Sequence, residues 1–150
     1  MYFKNAAIED FDKAFSFIEK LWTYNIYDRT ETKKVYQNIL GDKNSFAFFV
    51  MEEGNYKGFC HCTCFNTFWL SGLTCYLSGI ITDESVRGEG YGIALMDEVK
   101  RRAKELGCRG IILDSGLPRK EAHKFYEKYG FDNIEYIDRI SEKDLDLMKL

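Results

Sequence analysis

Arg87-Gly88-Glu89-Gly90-Tyr91-Gly92 is the stretch around which the rest of the sequence arranges itself. Three glycines alternate there, between an apolar run and an amphipathic one. Glycine adopts backbone conformations that other residues avoid, so neighbouring N–H groups can point into one concavity. A helix starting at Tyr91 adds the positive end of its dipole, and such a place favours phosphate oxygens. Arg87 adds a charge-assisted contact. The plainer alternative is a tight strand-to-helix turn with no ligand, but three alternating glycines exceed what a turn requires.

Two nucleotide readings fail on register. A dinucleotide fingerprint requires G-x-G-x-x-G. Counted from Gly88 and Gly90, the third glycine falls on Ile93; counted from Gly90 and Gly92, it falls on Leu95. A nucleotide-triphosphate loop ends in Gly-Lys-Ser or Gly-Lys-Thr, where this chain has Gly92-Ile93-Ala94.

Upstream of the glycines, Leu73 to Thr82 reads as a long strand. Before it, Ser45 to Glu52 and Tyr56 to Thr67 form a hairpin about Glu53-Gly54-Asn55. Tyr2 to Ala6 is a short first strand. Ile8 to Trp22 is a helix with Ile8, Phe11, Phe15, Ile18 and Trp22 at three- and four-residue steps. Glu31 to Leu40 is a second helix, with Thr30 as N-cap and Gly41 as its stop.

Downstream, Tyr91 to Leu106 is a helix ended by Gly107, with Ile93, Leu95, Met96, Val99 and Ala103 as its buried residues. Gly110 to Asp114 is a short strand. Pro118 to Tyr129 is a helix closed by Gly130. Asn133 to Ile140 and Asp144 to Leu150 read as two closing strands. The order is mixed α/β, antiparallel strands first and crossovers later. No linker or repeat interrupts the 150 residues, which fit one domain, 1–150.

Lysines and arginines number 21 and acids 24, a net charge of -3, so there is no basic excess for a nucleic acid. No apolar stretch reaches the roughly 18 residues of a membrane span, and the start lacks the pattern of a signal peptide. A cytoplasmic protein is expected. Its five cysteines follow no disulfide framework and are expected to be reduced.

Cys60-His61-Cys62-Thr63-Cys64 has the residues of a metal site but not the geometry. In a strand the three cysteines face one way and His61 the other, whereas zinc needs converging ligands. Core packing of small thiols is the expectation, with no metal. Aromatic residues make up 16% of the chain. Phe65, Phe68, Trp69 and the segment Trp22-Tyr24-Tyr27 line either a substrate pocket or ordinary packing surfaces, and an aromatic face can hold a cation.

Arg87-x-x-Gly90-x-Gly92 resembles the R/Q-x-x-G-x-G/A signature of the GNAT N-acetyltransferase superfamily. Tyr76 to Thr82 and Asp83-Glu84 resemble its upstream flank. Leu113-Asp114-Ser115, then Ala122-His123-x-Phe125-Tyr126-Glu127-Lys128-x-Gly130-Phe131, resemble the family's last block. The resemblance implies a central mixed, mostly antiparallel sheet of six to seven strands with about four helices, and a splayed parallel strand pair that binds CoA.

By the same resemblance, Ile80, Ile81 and Thr82 would pair with the pantetheine arm of acetyl-CoA like an added strand. The pyrophosphate would lie over Arg87, Gly88, Glu89, Gly90, Tyr91 and Gly92. Ser115 would be a cap or a CoA contact. Tyr126 would be the catalytic acid for the departing thiolate. Many relatives carry a glutamate base on the strand before the signature, but here that stretch reads Leu77-Ser78-Gly79-Ile80. His61, Asp83, Asp114 or a water chain are the substitutes.

The expected activity is acetyl transfer from acetyl-CoA to the primary amine of a small molecule or peptide. A non-catalytic acyl-CoA sensor and a transferase of another acyl group are the alternatives. No nucleic acid or membrane partner is expected, and a homodimer is compatible with the family.

Overall fold

Strand β2 (Ser45–Glu52) carries Ala47 to Met51 as five successive buried residues. A strand presents alternate residues to opposite faces, so both faces of the sheet must be covered. The computed structural model describes residues 1–23, 25–113 and 120–131. It places β2 between β1 (Tyr2–Asn5) and β3 (Asn55–Thr67). The sheet continues through β4 (Gly72–Thr82) to β5 (Gly110–Leu113), in the order β1-β2-β3-β4-β5.

The first three pairings are antiparallel. At the far edge the Arg109 amide donates to the Leu73 carbonyl, 2.7 Å, at the start of β4. β4 and β5 thus begin at the same end and run the same way, which makes the sheet mixed. Five strands are found among the described residues, against the six to seven expected. The two closing strands, Asn133 to Ile140 and Asp144 to Leu150, lie outside the described residues.

One face is covered by α1 (Phe11–Leu21) and α2 (Arg29–Gly41). Phe11, Ala14, Phe15 and Phe17 are the buried side of α1. Phe17 meets Phe49 and Phe59 with ring centroids 6.4 Å away, and Phe49 stacks on Phe59 at 5.0 Å. Removing each such ring from water contributes about 1.5–3 kcal/mol. The expected start of α1 is a separate 3-10 turn, Ile8–Asp10. α2 begins earlier than expected because Asp28, not Thr30, is its cap. The Asp28 carboxylate accepts the Glu31 amide at 2.9 Å.

The other face is covered by α3 (Tyr91–Glu105). It buries Tyr91, Leu95, Met96, Val99 and Ala103. Ile93, expected inside, is 53% exposed. Two residues along a helix are about half a turn around it, so Ile93 stands opposite Tyr91 and Leu95. Glu98, also buried, accepts from Arg101 and Arg102, and Arg102 lies 4.2 Å over the ring of Phe48. Four of the free thiols, Cys60, Cys62, Cys64 and Cys75, are buried in the sheet. Burial raises the pKa of the Cys62 and Cys64 thiols, the latter to about 11.

The chain divides into two units, residues 1–112 and 113–150. Within the second, α4 (Lys120–Tyr129) ends at Gly130, φ +121°. The Gly130 and Phe131 amides both donate to the Tyr126 carbonyl, so glycine closes the helix as expected. Pro118, the expected helix start, lies outside the described residues. Among the described residues no helix is long and apolar enough to cross a membrane.

The first unit is pinned by one buried carboxylate. Asp10 accepts from Lys4, from the Tyr56 hydroxyl at 2.5 Å and from the Ala7 amide at 3.0 Å. Burial alone would raise its pKa, but these donors outweigh it and hold the carboxyl below its ordinary value of 3.8. A lowered carboxylate pKa stabilises the fold above the unfolded value, and that stability is lost as pH falls through the folded one. Asp10→Ala should therefore lower stability at pH 7 by about 2–3 kcal/mol in urea unfolding. The gap to the natural chain should narrow as the pH drops below 3.8.

Candidate active site

The turn between β4 and α3 is built by its own backbone. The Asp83 amide donates to the Lys57 carbonyl at 2.9 Å, which ties the turn to β3. The Asp83 carboxylate accepts the Ser85 amide at 3.0 Å and the Ser85 hydroxyl at 2.7 Å. Asp83 is thus occupied in shaping the turn. Val86 is buried and anchors it, while Arg87 is exposed.

Gly88 and Gly90 have φ of +84° and +89°, and nothing lies within 4 Å of where a Cβ would stand on either. The glycines are there for conformation, and they leave open space in front of the backbone. Gly90 is the N-cap of α3 and supplies no side-chain cap. The first amides of a helix have no partner inside it, and those of Tyr91 and Gly92 are among them. An anion is the species that such a terminus attracts. Glu89 differs from its neighbours: its amide already donates to the Val86 carbonyl at 3.1 Å.

Ile80, Ile81 and Thr82 close β4, paired with Cys60, Phe59 and Gly58 of β3. β5 has four residues and begins beside the start of the eleven-residue β4. Among the described residues, the end of β4 therefore runs on past β5.

β4 also carries an irregularity. His61 pairs with Gly79 and Cys62 with Leu77, so Ser78 is an extra residue. A bulge of this kind bends a strand and re-aims its groups. A Cβ on Gly79 would come within 3.0 Å of both Leu21 and Trp22. Glycine thus lets the end of α1 close onto the bulge. An isolated Ser-Gly in a strand is the sequence signal for such a bulge.

Beneath α1 and α2, on this face of the sheet, lies a cavity of about 390 Å³. Its wall includes Phe17, Trp22, Val35, Phe59, Ser78 and His61. Burial lowers the pKa of His61 from its ordinary 6.5, partly offset by the Asp42 carboxylate. The imidazole is therefore neutral near pH 7, with one ring nitrogen able to accept a proton. Its Nε2 lies 3.3 Å from the Thr63 hydroxyl. The alternation expected for the Cys60-to-Cys64 run is present, with the three thiols buried and His61 on the cavity.

Trp22 and Tyr27 line this cavity as the sequence suggested, but Phe65, Phe68 and Trp69 do not. Phe68 and Trp69 stand out at the turn joining β3 to β4. The contribution of α2 was not anticipated, although Thr32, Val35, Tyr36 and Ile39 follow helical spacing.

In the second unit, Tyr126 is buried and packs edge-on to Phe125 and Phe131, with centroids 5.6 and 5.9 Å away. Ser115, Asp114 and Tyr24 lie outside the described residues. Among the described residues no three metal-ligating side chains cluster.

The profile of the acetyltransferase (GNAT) family matches residues 6–131. An uncharacterized N-acetyltransferase of Methanocaldococcus jannaschii, MJ1207, is 30% identical over 91% of this chain and 56% of its own length. The uncharacterized N-acetyltransferase YhdJ of Bacillus subtilis is 37% identical over 43% of this chain and 46% of its own. The chain thus spans about half the length of these relatives. Among solved structures, a transcriptional regulator from Bacillus halodurans has a TM-score of 0.83 at 22% identity, covering 93% of this chain and 98% of its own. Aminoglycoside N-acetyltransferase AAC(6')-Iy in complex with CoA has a TM-score of 0.80 at 18% identity, covering 93% of both chains. At these identities the likeness is one of fold.

The two left-handed glycines can be tested directly. Gly88→Ala and Gly90→Ala should each lower stability by about 1–2 kcal/mol. Gly41→Ala, at the end of α2 with open space around it, should be neutral or slightly stabilising. Thermal unfolding of the three variants measures the contrast.

Proposed function

The chain belongs to the acetyltransferase (GNAT) family, and on that premise we propose that it transfers an acetyl group from acetyl-CoA to a primary amine by direct attack. The observation that carries the proposal is the uncapped start of α3 behind Gly88 and Gly90. It lies just past the strand whose bulge lines the cavity. We read residues 1–150 as a single acetyltransferase domain.

The residues present fit CoA. The amides of Gly88, Gly90, Tyr91 and Gly92 would hold its pyrophosphate, with Arg87 adding charge. Glu89 would take part only through its place in the turn, since its amide is already used. The free edge at Ile80, Ile81 and Thr82 would hold the pantetheine arm, and Ser115 would add a contact. When bound, acetyl-CoA supplies an activated acyl carbon and a thiolate leaving group.

The amine must lose its proton to attack, and His61 is the base we assign. It is neutral, it lines the cavity and it stands opposite the β4 bulge. By the resemblance to the family, Tyr126 would be the acid: as the C–N bond forms and the C–S bond breaks, its hydroxyl would give its proton to the departing sulfur. Most of the acceleration comes from holding the reacting groups together.

A second reading is a non-catalytic acyl-CoA sensor. It is favoured by the stretch Leu77-Ser78-Gly79-Ile80, which has no carboxylate. Thiol release from acetyl-CoA with a mixed panel of amines separates the two. Transfer requires release with at least one amine. No release, while CoA still raises the melting temperature, selects the sensor.

The roles of the two side chains have their own readouts. Tyr126→Phe should lower kcat with CoA binding retained, and an unchanged kcat would remove the acid role. The acid limb of kcat should have its midpoint below 6.5, because burial disfavours the imidazolium. His61→Gln should abolish that limb and lower kcat by about 10²- to 10⁴-fold. Asp42→Asn should move the midpoint further down, because the lost carboxylate had favoured the charged ring.

A further inference from the structure

Resting on the acetyl-transfer reading, we propose that the acceptor is a hydrophobic primary amine: an ammonium head on an aromatic or branched aliphatic body, seated in the cavity beneath α1 and α2. Three observations about the wall carry this.

The first is its chemistry. α1 and the residue after it present Phe17, Ile18, Leu21 and Trp22, and the sheet presents Phe59 and Ile81. Tyr27 and Tyr36 add ring surface, but their hydroxyls already donate to the carbonyls of Trp22 and Ala7, at 3.3 and 2.7 Å. A polyhydroxylated sugar amine would leave most of its polar groups facing carbon here, and unmet polar groups are costly to bury. The apolar body of an amine finds a matching surface.

The second is charge. Glu31 is the single carboxylate on the wall, and it is exposed and already paired with Lys34 at 3.0 Å; no lysine or arginine lines the wall among the described residues. The lack of a cation on the wall disfavours an acceptor that carries its own carboxylate. The aromatic faces of Trp22 and Phe17 favour a cation.

The third is size and depth. At about 390 Å³ the cavity is near the lower end of ligand pockets, which run from about 300 to 1,000 Å³. It suits one ring system and a short chain. Gly79 brings Leu21 and Trp22 onto the strand, so the polar groups of the sheet, His61 and Ser78, remain the place for the amine nitrogen. The body then lies between the helices.

The test is acetyl transfer by the full chain to 2-phenylethylamine and tryptamine, set against kanamycin, spermidine and a lysine-containing peptide. The expected result is a kcat/KM at least tenfold higher for the first two. Equal or faster transfer to kanamycin, spermidine or the peptide overturns the proposal and leaves the acetyltransferase reading intact. Val35 is 56% exposed at the cavity, so Val35→Lys should fold normally, as a thermal melt will verify. It should raise KM for 2-phenylethylamine about tenfold without changing KM for acetyl-CoA, because it brings a like charge to the ammonium. An unchanged KM for the amine also overturns the proposal. If no amine is acetylated, the enzymatic reading fails, and calorimetric binding of 2-phenylethylamine decides the cavity alone. Binding that weakens in Val35→Lys upholds it, and the absence of binding refutes it.

Discussion

A strand buried on both faces obliges the chain to supply a cover for each, and β3 is such a strand. Its thiols at positions 60, 62 and 64 require α3 on one side, and Phe59 requires α1 on the other. The two covers are not alike. On the thiol side the small sulfur-bearing side chains and the rings of Phe46 and Phe48 pack against one helix. The side of Phe49 and Phe59 packs against two helices. The cavity lies on that second side. The alternation of the strand thus puts Phe59 and His61 on the cavity and the thiols on the opposite face.

The same alternation explains why the site draws on distant parts of the sequence. His61 comes from the strand's middle, Trp22 from the end of α1, Val35 from α2 and Ser78 from the bulge. None of these is exceptional alone. They meet because β3 and β4 are adjacent and because Gly79 lets α1 approach. The turn between β4 and α3 is different in kind. It consists of consecutive residues whose backbone is set by two glycines and by Asp83.

That difference decided what could be read in advance. The turn from Arg87 to Gly92 was legible because its physics is local, and so were the strands from Ser45 to Thr82 and the helix after them. Boundaries moved where a cap competed, as at Asp28, and one burial assignment failed where periodicity was misplaced, at Ile93. The cavity was legible only in part. Trp22 and Tyr27 are aromatic and drew attention, as did the exposed Phe68 and Trp69, which have no share in it. Composition marks a side chain as sticky, but topology decides what it touches. The part played by α2 and the extra residue at Ser78 belong to long-range pairing, which spacing along the chain does not encode. His61 was one of several bases the sequence allowed, and its neutrality follows from burial that only the fold provides.

The thiol face of the sheet has one more consequence. The Sγ atoms of Cys64 and Cys108 lie 3.7 Å apart, and Cys108, partly accessible, has its pKa raised to about 12, chiefly by burial. A thiol held in its protonated form is a poor nucleophile. Alkylating reagents should therefore reach the four buried thiols, Cys60, Cys62, Cys64 and Cys75, only when α3 lifts from the sheet. The labelling rate of these four cysteines becomes a built-in clock for opening of that layer, read without adding a dye, a tag or a mutation.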